Sequence, residues 1–430
     1  MGDARYLAVK LLMKTFHSGS YSNIQLSAGL DGSDLDDRDK KLCSALYYGV
    51  IERKTTLDHI ISGISSRPVR KLDDAVLNIL RCGIYQLLCM DGIPDSAAVN
   101  ESVALAKKFG KTSAAGMVNA ILRSFIRSGK DIKLPTDEIK RLSVQYSAPD
   151  EMVREYINNG ALEVLAGSLS KGRTYIRRDP LRCTAEEFVE YFTNLFGADG
   201  ISEAFGLPDC YAVTGGDPVH TEAFAKGWFH VQSAASQYIC TALAPTENDR
   251  VFDMCAAPGG KTFTIAELMN GRGEVWASDL HEKRVKLIHE GAERLGLANI
   301  QAKAGDASKF DESLPKFTKI LCDVPCSGLA VIGSKPEIKY KKVSDFSGLP
   351  QIQLRIVSNA LNYLADGGEL VYSTCTVRRE ENEEVCERLL REHPELEAVP
   401  LPDTSIPAER KTEEPYRSVN GFFAAKFRKR

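Results

Sequence analysis

Apolar positions in the first third of the chain recur at intervals of three and four: Ala8, Leu11, Leu12 and Phe16, then Leu42, Leu46, Tyr47 and Val50, then Val76, Leu77, Leu80, Ile84 and Leu87. That spacing marks one face of an α-helix. It predicts helices almost throughout residues 5–127, broken by turn residues at Asp31-Gly-Ser-Asp34, Asp91-Gly-Ile-Pro-Asp95 and Phe109-Gly110. An all-helical domain over residues 1–130 follows. Between 128 and 245 the signals mix. Residues 129–135 read as a linker, 151–158 as a helix and 174–177 as a short strand. Residues 184–196 read as a helix opened by an N-cap threonine, Thr184, with Glu187 three positions on. Residues 131–245 are therefore expected to form a small mixed α/β region. From Asp249 the pattern alternates. Short apolar runs at 251–254, 275–278, 300–304, 320–324 and 369–373 are separated by helical stretches such as 283–295 and 351–364, and a final apolar run covers 421–427. Such alternation predicts βαβ units and an α/β, doubly wound, largely parallel sheet over residues 246–430.

A chain of 430 residues is too long for one ordinary core and predicts two or three domains. With 43% hydrophobic and 26% charged residues, it has the composition of a soluble globular protein. No apolar run approaches the ~20 residues a membrane span needs. The start, Met1-Gly-Asp-Ala-Arg5, lacks the apolar core of a secretory signal, so a cytoplasmic location is expected. Eleven cysteines, an odd number without framework spacing, favour free thiols in a reducing compartment. Most, such as Cys43, Cys82 and Cys89, read as small buried apolar residues. The formal charge of -3 gives no global bias toward nucleic acid, so binding of that kind needs a local basic surface.

The chemistry gathers where the predicted strands end. Cys255-Ala-Ala-Pro-Gly-Gly-Lys-Thr262 follows the first strand of the sheet, where a glycine-bearing turn and a helix N-terminus receive nucleotide-like ligands. The second strand ends in Asp279, 20 positions after Gly259, where a carboxylate can accept hydrogen bonds from a ribose. The third ends in Gly305-Asp306 and the fourth in Asp323. Each aspartate alone suits a helix cap. Together they suit a ligand with a ribose, an exocyclic amine and a positive charge such as a sulfonium. Cys326 and Cys375 also follow predicted strands, each beside a hydroxyl residue, Ser327 or Thr374. Ordinarily two such cysteines are buried thiols. A zinc pair from Cys322 and Cys326 would lack a second ligand pair, and Cys322 should point into the sheet. Next to a methyl donor, a thiolate that adds to C6 of a pyrimidine makes C5 nucleophilic, and an acid at Asp323 would share the proton needed at N3. The base would have to leave its stack.

Asp253-Met-Cys-Ala-Ala-Pro-Gly-Gly-Lys-Thr262, Asp323-Val-Pro-Cys-Ser-Gly328, Tyr372-Ser-Thr-Cys375 and Glu381-Asn-Glu383 resemble the signature segments of RNA cytosine-C5 methyltransferases that use S-adenosylmethionine. Tyr21-Ser-Asn23, Tyr48-Gly-Val-Ile-Glu52, Asn78-Ile-Leu-Arg81, Ile84-Tyr-Gln86, Ile93-Pro94, Asn100-Glu-Ser-Val103 and Val118-Asn-Ala-Ile-Leu-Arg123 resemble the NusB-like helical domain of the RsmB (Sun) type, which acts on small-subunit ribosomal RNA. The resemblance implies a Rossmann-like methyltransferase domain behind an RNA-binding helical domain, with the 131–245 region taking part in RNA recognition. It implies that Cys375 is the nucleophile, that Cys326 assists elimination, and that Asp323 lies between cofactor and cytosine. Cys255, Ala256, Ala257, Pro258, Gly259, Gly260 and Lys261 would hold the methionine part of the cofactor, Asp279 its ribose and Asp306 its adenine edge. The expected partner is 16S ribosomal RNA, bound by a monomer without metal or membrane.

This chain departs from the family pattern at Ser233, Ala330, Gly333, Ser334, Asn420 and Ile176-Arg-Arg178, none of which removes a proposed catalytic group. A DNA cytosine methyltransferase would use Cys326 as nucleophile, and a second cysteine at Cys375 argues against it. A non-catalytic RNA-binding assembly or antitermination factor would not need both thiols, Asp323 and the glycine turn. A nicotinamide dehydrogenase would share the sheet but not the paired cysteines. Candidate RNA contacts are Arg5, Lys10, Arg53, Lys54, Arg81 and Arg123 on a helical face, with Lys335, Lys339, Lys341 and Lys342 flanking the active site.

Overall fold

Six helices form where the three-and-four spacing predicts them: α1 Ala4–Ser18, α2 Ser22–Asp31, α3 Asp37–Ile64, α4 Asp74–Cys89, α5 Asp95–Lys108 and α6 Ala115–Arg127. They belong to a computed structural model that describes residues 3–18, 22–170, 172–408 and 412–430, so Tyr21 of the Tyr21-Ser-Asn23 segment lies outside the described residues. Aspartates begin three of these helices, and ahead of α1 Asp3 accepts the Arg5 and Tyr6 N–H groups at 3.0 and 3.1 Å. Asp36 accepts the Asp39 N–H ahead of α3, and Asp73 accepts the Ala75 N–H ahead of α4, satisfying donors that no helical carbonyl can reach. The predicted apolar faces meet in one core that includes Leu46, Val50, Leu80, Ile84, Val118 and Leu122. Close approach of α3 to α4 depends on Gly49, where a Cβ would lie 2.0 Å from the Tyr85 ring. Two short helices, α7 Glu138–Tyr146 and α8 Asp150–Asn158, follow, and then α9 Leu162–Gly167.

The chain divides into two compact units. The first comprises Met1–Asn158, Leu165–Ser170 and Val331–Val343; the second comprises Asn159–Val164, Lys171–Ala330 and Ser344–Arg430. Val331–Val343 is thus a piece of late sequence folded with the first unit. Glu337 accepts the Ser22 hydroxyl at 2.8 Å, Lys339 Nζ donates to the Glu52 carbonyl at 2.8 Å, and the Tyr340 hydroxyl donates to the Ser147 carbonyl at 3.3 Å. Two candidate RNA contacts, Lys339 and Arg81, are corrected here. Lys335, Lys339, Lys341 and Lys342 all lie in the first unit, where Tyr340 of the same segment packs against the helical core, whereas the two cysteines lie in the second. Lys339 is fully buried, and burial pushes its ammonium down to about 8, so it is no surface contact for RNA. Arg81 is likewise internal, held bidentately by Asp58 at 2.7 and 2.8 Å. Cys43 and Cys82 are buried as expected, but Cys89 is exposed at the end of α4.

The second unit holds two sheets. The smaller has the order β2 Ile201–Glu203, β3 Cys210–Val213, β1 Thr174–Arg178, β4 Phe229–Val231, all antiparallel. Helix α10 Ala185–Phe196 covers it with Phe188 and Phe192, and begins with the predicted capping box between Thr184 and Glu187. The larger sheet runs β10 Leu396–Val399, β12 Phe422–Lys429, β9 Leu364–Thr374, β8 Phe317–Asp323, β5 Arg250–Asp253, β6 Glu274–Asp279, β7 Ile300–Ala304, with β11 Arg417–Val419 on β12. Strands β5 to β9 are parallel, and β12 closes the sheet antiparallel to β9. The unit's remaining helices are α11 Glu222–Ala225, α12 Ala234–Leu243, α13 Gly260–Leu268, α14 Glu282–Leu295, α15 Leu349–Ala360 and α16 Glu383–Glu392. The helix expected over 351–364 stops at Ala360, because the Tyr363 carbonyl already accepts the Phe317 N–H at 2.8 Å and the chain enters β9 at Leu364. Among the described residues no helix is long and apolar enough to cross a membrane.

A buried ion pair ties the small sheet to α13. Arg177 Nε on β1 donates to Glu267 Oε2 at 2.7 Å, with side chains 3% and 0% exposed. Nearby, burial and the Glu267 charge push the Asp179 carboxyl up to about 6. Breaking such a pair from one side leaves a dehydrated charge. Arg177→Met is therefore expected to cost about 3–5 kcal/mol, measured by urea unfolding followed through Trp228 and Trp276, both in the second unit. The raised Asp179 carboxyl adds stability only while protonated, in full below its unfolded value near ~4, and loses it as pH rises through about 6. Asp179→Asn should accordingly match the parent at pH ~4 and become the more stable chain by roughly 2–3 kcal/mol at pH ~7 in the same measurement.

Candidate active site

In a parallel sheet the carboxyl ends of the strands face one crevice. There β5 ends in Asp253, β6 in Asp279 and β8 in Asp323, while Asp306 lies two residues beyond β7 and Cys375 one beyond β9. The turn after β5 is held by its own backbone. The Ala256 N–H donates to the Ser278 carbonyl at 2.8 Å and the Gly259 N–H to the Ala256 carbonyl at 2.8 Å. Gly259 has φ 113°, and a Cβ there would stand 2.4 Å from the Phe263 ring, so only glycine fits. Helix α13 starts at Gly260 without a side-chain cap, leaving its first-turn N–H groups available to a ligand.

The acids beside that turn differ in their partners. Asp279, buried, is bound by Arg284 at 2.9 Å, and Arg284 Nη2 also donates to the Ala257 carbonyl of the turn. Asp306 is held below the usual carboxylate range by hydrogen bonds from the Ser308 hydroxyl and N–H, aided by Lys309 at 3.1 Å. Asp323 is charge-paired with Lys261 at 2.6 Å and accepts the Ser373 hydroxyl at 2.7 Å. Burial alone would lower the Lys261 ammonium, but attraction to Asp323 and their hydrogen bond outweigh it and raise it, so the lysine stays charged. Asp253, also buried, accepts the Thr262 hydroxyl at 2.7 Å, and burial pushes its carboxyl up to about 7. An open glycine turn, an uncapped helix start and carboxylates at successive strand ends fit a cofactor with a ribose and a cationic centre. Cys255, Ala256, Ala257, Pro258, Gly259, Gly260 and Lys261 form that turn, and Asp279 and Asp306 end its neighbouring strands.

The two sulfurs lie side by side. Cys326 Sγ is 2.8 Å from Cys375 Sγ, and the Cys375 N–H donates to Cys326 Sγ at 3.2 Å. Two negative charges at that separation would repel strongly, so the two sulfurs cannot both be thiolates. Its hydrogen bond with Cys375, followed by burial, raises the Cys326 thiol well above its ordinary value, which makes Cys326 the protonated member at neutral pH. The other nearby thiols are inert. Burial raises Cys255 well above its ordinary value, and Cys322 is buried with its sulfur 3.8 Å from Met254 Sδ. Among the described residues no group of three or more His, Cys, Asp or Glu side chains could hold a metal ion.

Sequence reasoning singled out both cysteines, Asp323 and the turn, and the structure brings them to one edge of one sheet. It did not find that Lys261 turns from the loop onto Asp323, nor that Ser373 does so from β9. The alternation of strand positions was the available signal, since Ser373 pairs with Asp323 across β8 and β9. Arg177, in the Ile176-Arg-Arg178 departure, faces inward to Glu267, and Ser233 caps α12.

The model of 16S rRNA methyltransferase RsmB/F matches residues 240–428, and that of the NusB family matches residues 2–127. A protein of Bacillus subtilis named "Probable ribosomal RNA small subunit methyltransferase B" is 35% identical over 414 residues, covering 94% of this chain and 91% of that one. Among solved structures, PH0851 superposes with a TM-score of 0.82 at 22% identity, over 100% of this chain and 99% of that one. A methyltransferase homolog from Pyrococcus horikoshii reaches a TM-score of 0.58 at 26% identity, over 69% of this chain and 100% of that one. Identity of this extent, joined to a glycine turn and paired thiols on one sheet edge, leads to a plain conclusion: the chain belongs to the RsmB/F family of 16S rRNA methyltransferases and carries a NusB family domain.

Proposed function

We propose that this protein methylates C5 of a cytosine in small-subunit ribosomal RNA, with S-adenosylmethionine as donor, through a transient bond between Cys375 Sγ and C6. The observation that carries the reading is the pair of sulfurs 2.8 Å apart beside the Lys261–Asp323 ion pair. The family and the name of the Bacillus subtilis relative support rRNA as the substrate. Cytosine and C5 are supported by the thiols, because C5 of a pyrimidine becomes nucleophilic only after a nucleophile has added to C6.

Each residue then has a task. Residues 255–261 and the start of α13 hold the methionine part of the cofactor, Asp279 the ribose and Asp306 the adenine edge. Cys375, its proton lost to water, adds as thiolate to C6 beside the protonated Cys326, and the displaced electron pair moves toward N3. Asp323, hydrogen-bonded to the Lys261 ammonium, relays one of its protons to N3 as that charge develops and takes it back once C5 has reacted. When bound, S-adenosylmethionine supplies an electrophilic methyl group to C5. A base removes the C5 proton, the C6–sulfur bond breaks, and Cys375 leaves as a thiolate. Cys326, still a thiol, stabilises the departing sulfur through its S–H, so its part lies in release. In this reading residues 1–130 bind RNA, residues 131–245 recognise it, and the base is flipped into the crevice. Eleven free thiols suit the reducing cytoplasm, where the protein would act as a monomer.

The test incubates the protein with labelled S-adenosylmethionine and unmodified ribosomal RNA, then maps the methylated base. Cys375→Ala should lose at least about 10³-fold in turnover, whereas Cys326→Ala should accumulate a protein–RNA adduct that survives a denaturing gel. Full activity in Cys375→Ala would end the assignment of nucleophile. Lys261→Met, which strips Asp323 of its counter-charge, is expected to lower kcat by about 10²-fold; a parental kcat would show that the ion pair has no part in the chemistry.

A further inference from the structure

The segment between β9 and α16 brackets each sulfur from both sides. Neither cysteine lies in regular structure: β8 ends at Asp323 and β9 at Thr374, so no ladder fixes the backbone around Cys326 or Cys375. One backbone bond, from the Ala330 N–H to the Cys375 carbonyl at 3.0 Å, and several side chains do it instead. Glu381 is fully buried, and its Oε2 accepts the Ser327 N–H at 2.9 Å and the Gln353 amide at 2.9 Å. The same Gln353 Nε2 donates to the Pro325 carbonyl at 3.0 Å. Pro325 and Ser327 are the two neighbours of Cys326. The next residue, Asn382, also fully buried, treats Cys375 in the same way. Its Oδ1 accepts the Thr374 hydroxyl at 2.5 Å and its Nδ2 donates to the Thr376 carbonyl at 3.0 Å, and Thr374 and Thr376 are the neighbours of Cys375.

The two brackets are joined. The hydroxyls of Ser327 and Thr376 meet at 2.6 Å, and the Tyr372 hydroxyl donates to the Glu381 carbonyl at 2.6 Å, anchoring the segment to β9. A buried carboxylate is costly unless its lone pairs are filled. Here Arg378, 3.4 Å away, supplies the opposite charge, and two N–H groups fill Oε2. Adjacent residues, one holding each loop, leave the sulfurs little freedom to move apart. We propose that Glu381 and Asn382 are positioning residues that set the separation of the Cys326 and Cys375 sulfurs; their effect on methylation rests on the function proposed above, whereas their effect on the thiols does not.

The test therefore reads both. The full chain, without RNA or cofactor, is treated with dibromobimane, which bridges neighbouring thiols, and the Cys326–Cys375 bridge is followed by peptide mass mapping. In Glu381→Ala and in Asn382→Ala, bridging should slow at least about 10-fold, and kcat for RNA methylation should fall about 10²-fold with KM for RNA unchanged. Glu381→Gln, which keeps one acceptor oxygen for Ser327, should recover much of both. Folded alanine variants that bridge at the parental rate overturn the proposal, whatever their activity. A parent that bridges rapidly but never methylates RNA, while the variants bridge slowly, upholds the positioning role and sinks the proposed function. Should the alanine variants fail to fold, Gln353→Met, which removes the donor to Pro325, carries the same test with the same two outcomes.

Discussion

Parallel pairing of β8 with β9 is the constraint on which the site depends. Its register sets Asp323 opposite Ser373, so the loop leaving one strand and the turn leaving the other emerge side by side. Three residues beyond Asp323 comes Cys326, and two beyond Ser373 comes Cys375. A slip of one residue would send Ser373 to the opposite face and separate the sulfurs. The register is secured on both flanks. Tyr372 and Cys322 are buried in the core on one face of the sheet, and β12 pairs with β9 from Thr374 back to Glu369.

Electrostatics at the same edge favour pairing over isolation. A lone aspartate in the crevice would be driven toward its neutral form. Lys261 gives Asp323 an opposite charge at 2.6 Å, where the Coulomb gain exceeds the cost of burying the ammonium. Asp253, with a threonine hydroxyl and no such direct partner at that distance, is pushed up to about 7. Two aspartates that the sequence places in comparable positions thus differ in partner, because one loop lysine donates to only one of them. The sulfurs follow the same logic: proximity forbids two thiolates, and the hydrogen bond with Cys375 and burial raise the Cys326 thiol.

The unit boundaries show a second way in which local sequence underdetermines structure. Val331–Val343 carries four lysines close in sequence to Cys326, which reads as a basic flank to the site. Tyr340 of this segment packs against the helical core of the first unit, and Lys339 beside it is buried and donates to the Glu52 carbonyl. Arg81 has the same lesson on the helical side. A cation in an amphipathic helix reads as solvated until its carboxylate partner, here Asp58 on a different helix, is known.

The residues by themselves determined the elements and the edge on which the chemistry gathers. Three-and-four spacing specified the helices before Arg127, and apolar runs ending in aspartate specified the parallel strands, since these patterns depend only on local periodicity. Five short strands, β2, β3, β4, β10 and β11, each of 3 or 4 residues, escaped notice because so few positions show no period, whereas β5, also of 4 residues, was legible as a continuous apolar run. Tertiary structure alone decided which groups touch: Lys261 with Asp323, Arg177 with Glu267, Glu381 and Asn382 with the neighbours of the two cysteines. Those contacts join residues 6 to 90 positions apart, and their energies depend on distance and burial, quantities that exist only after the sheet has closed.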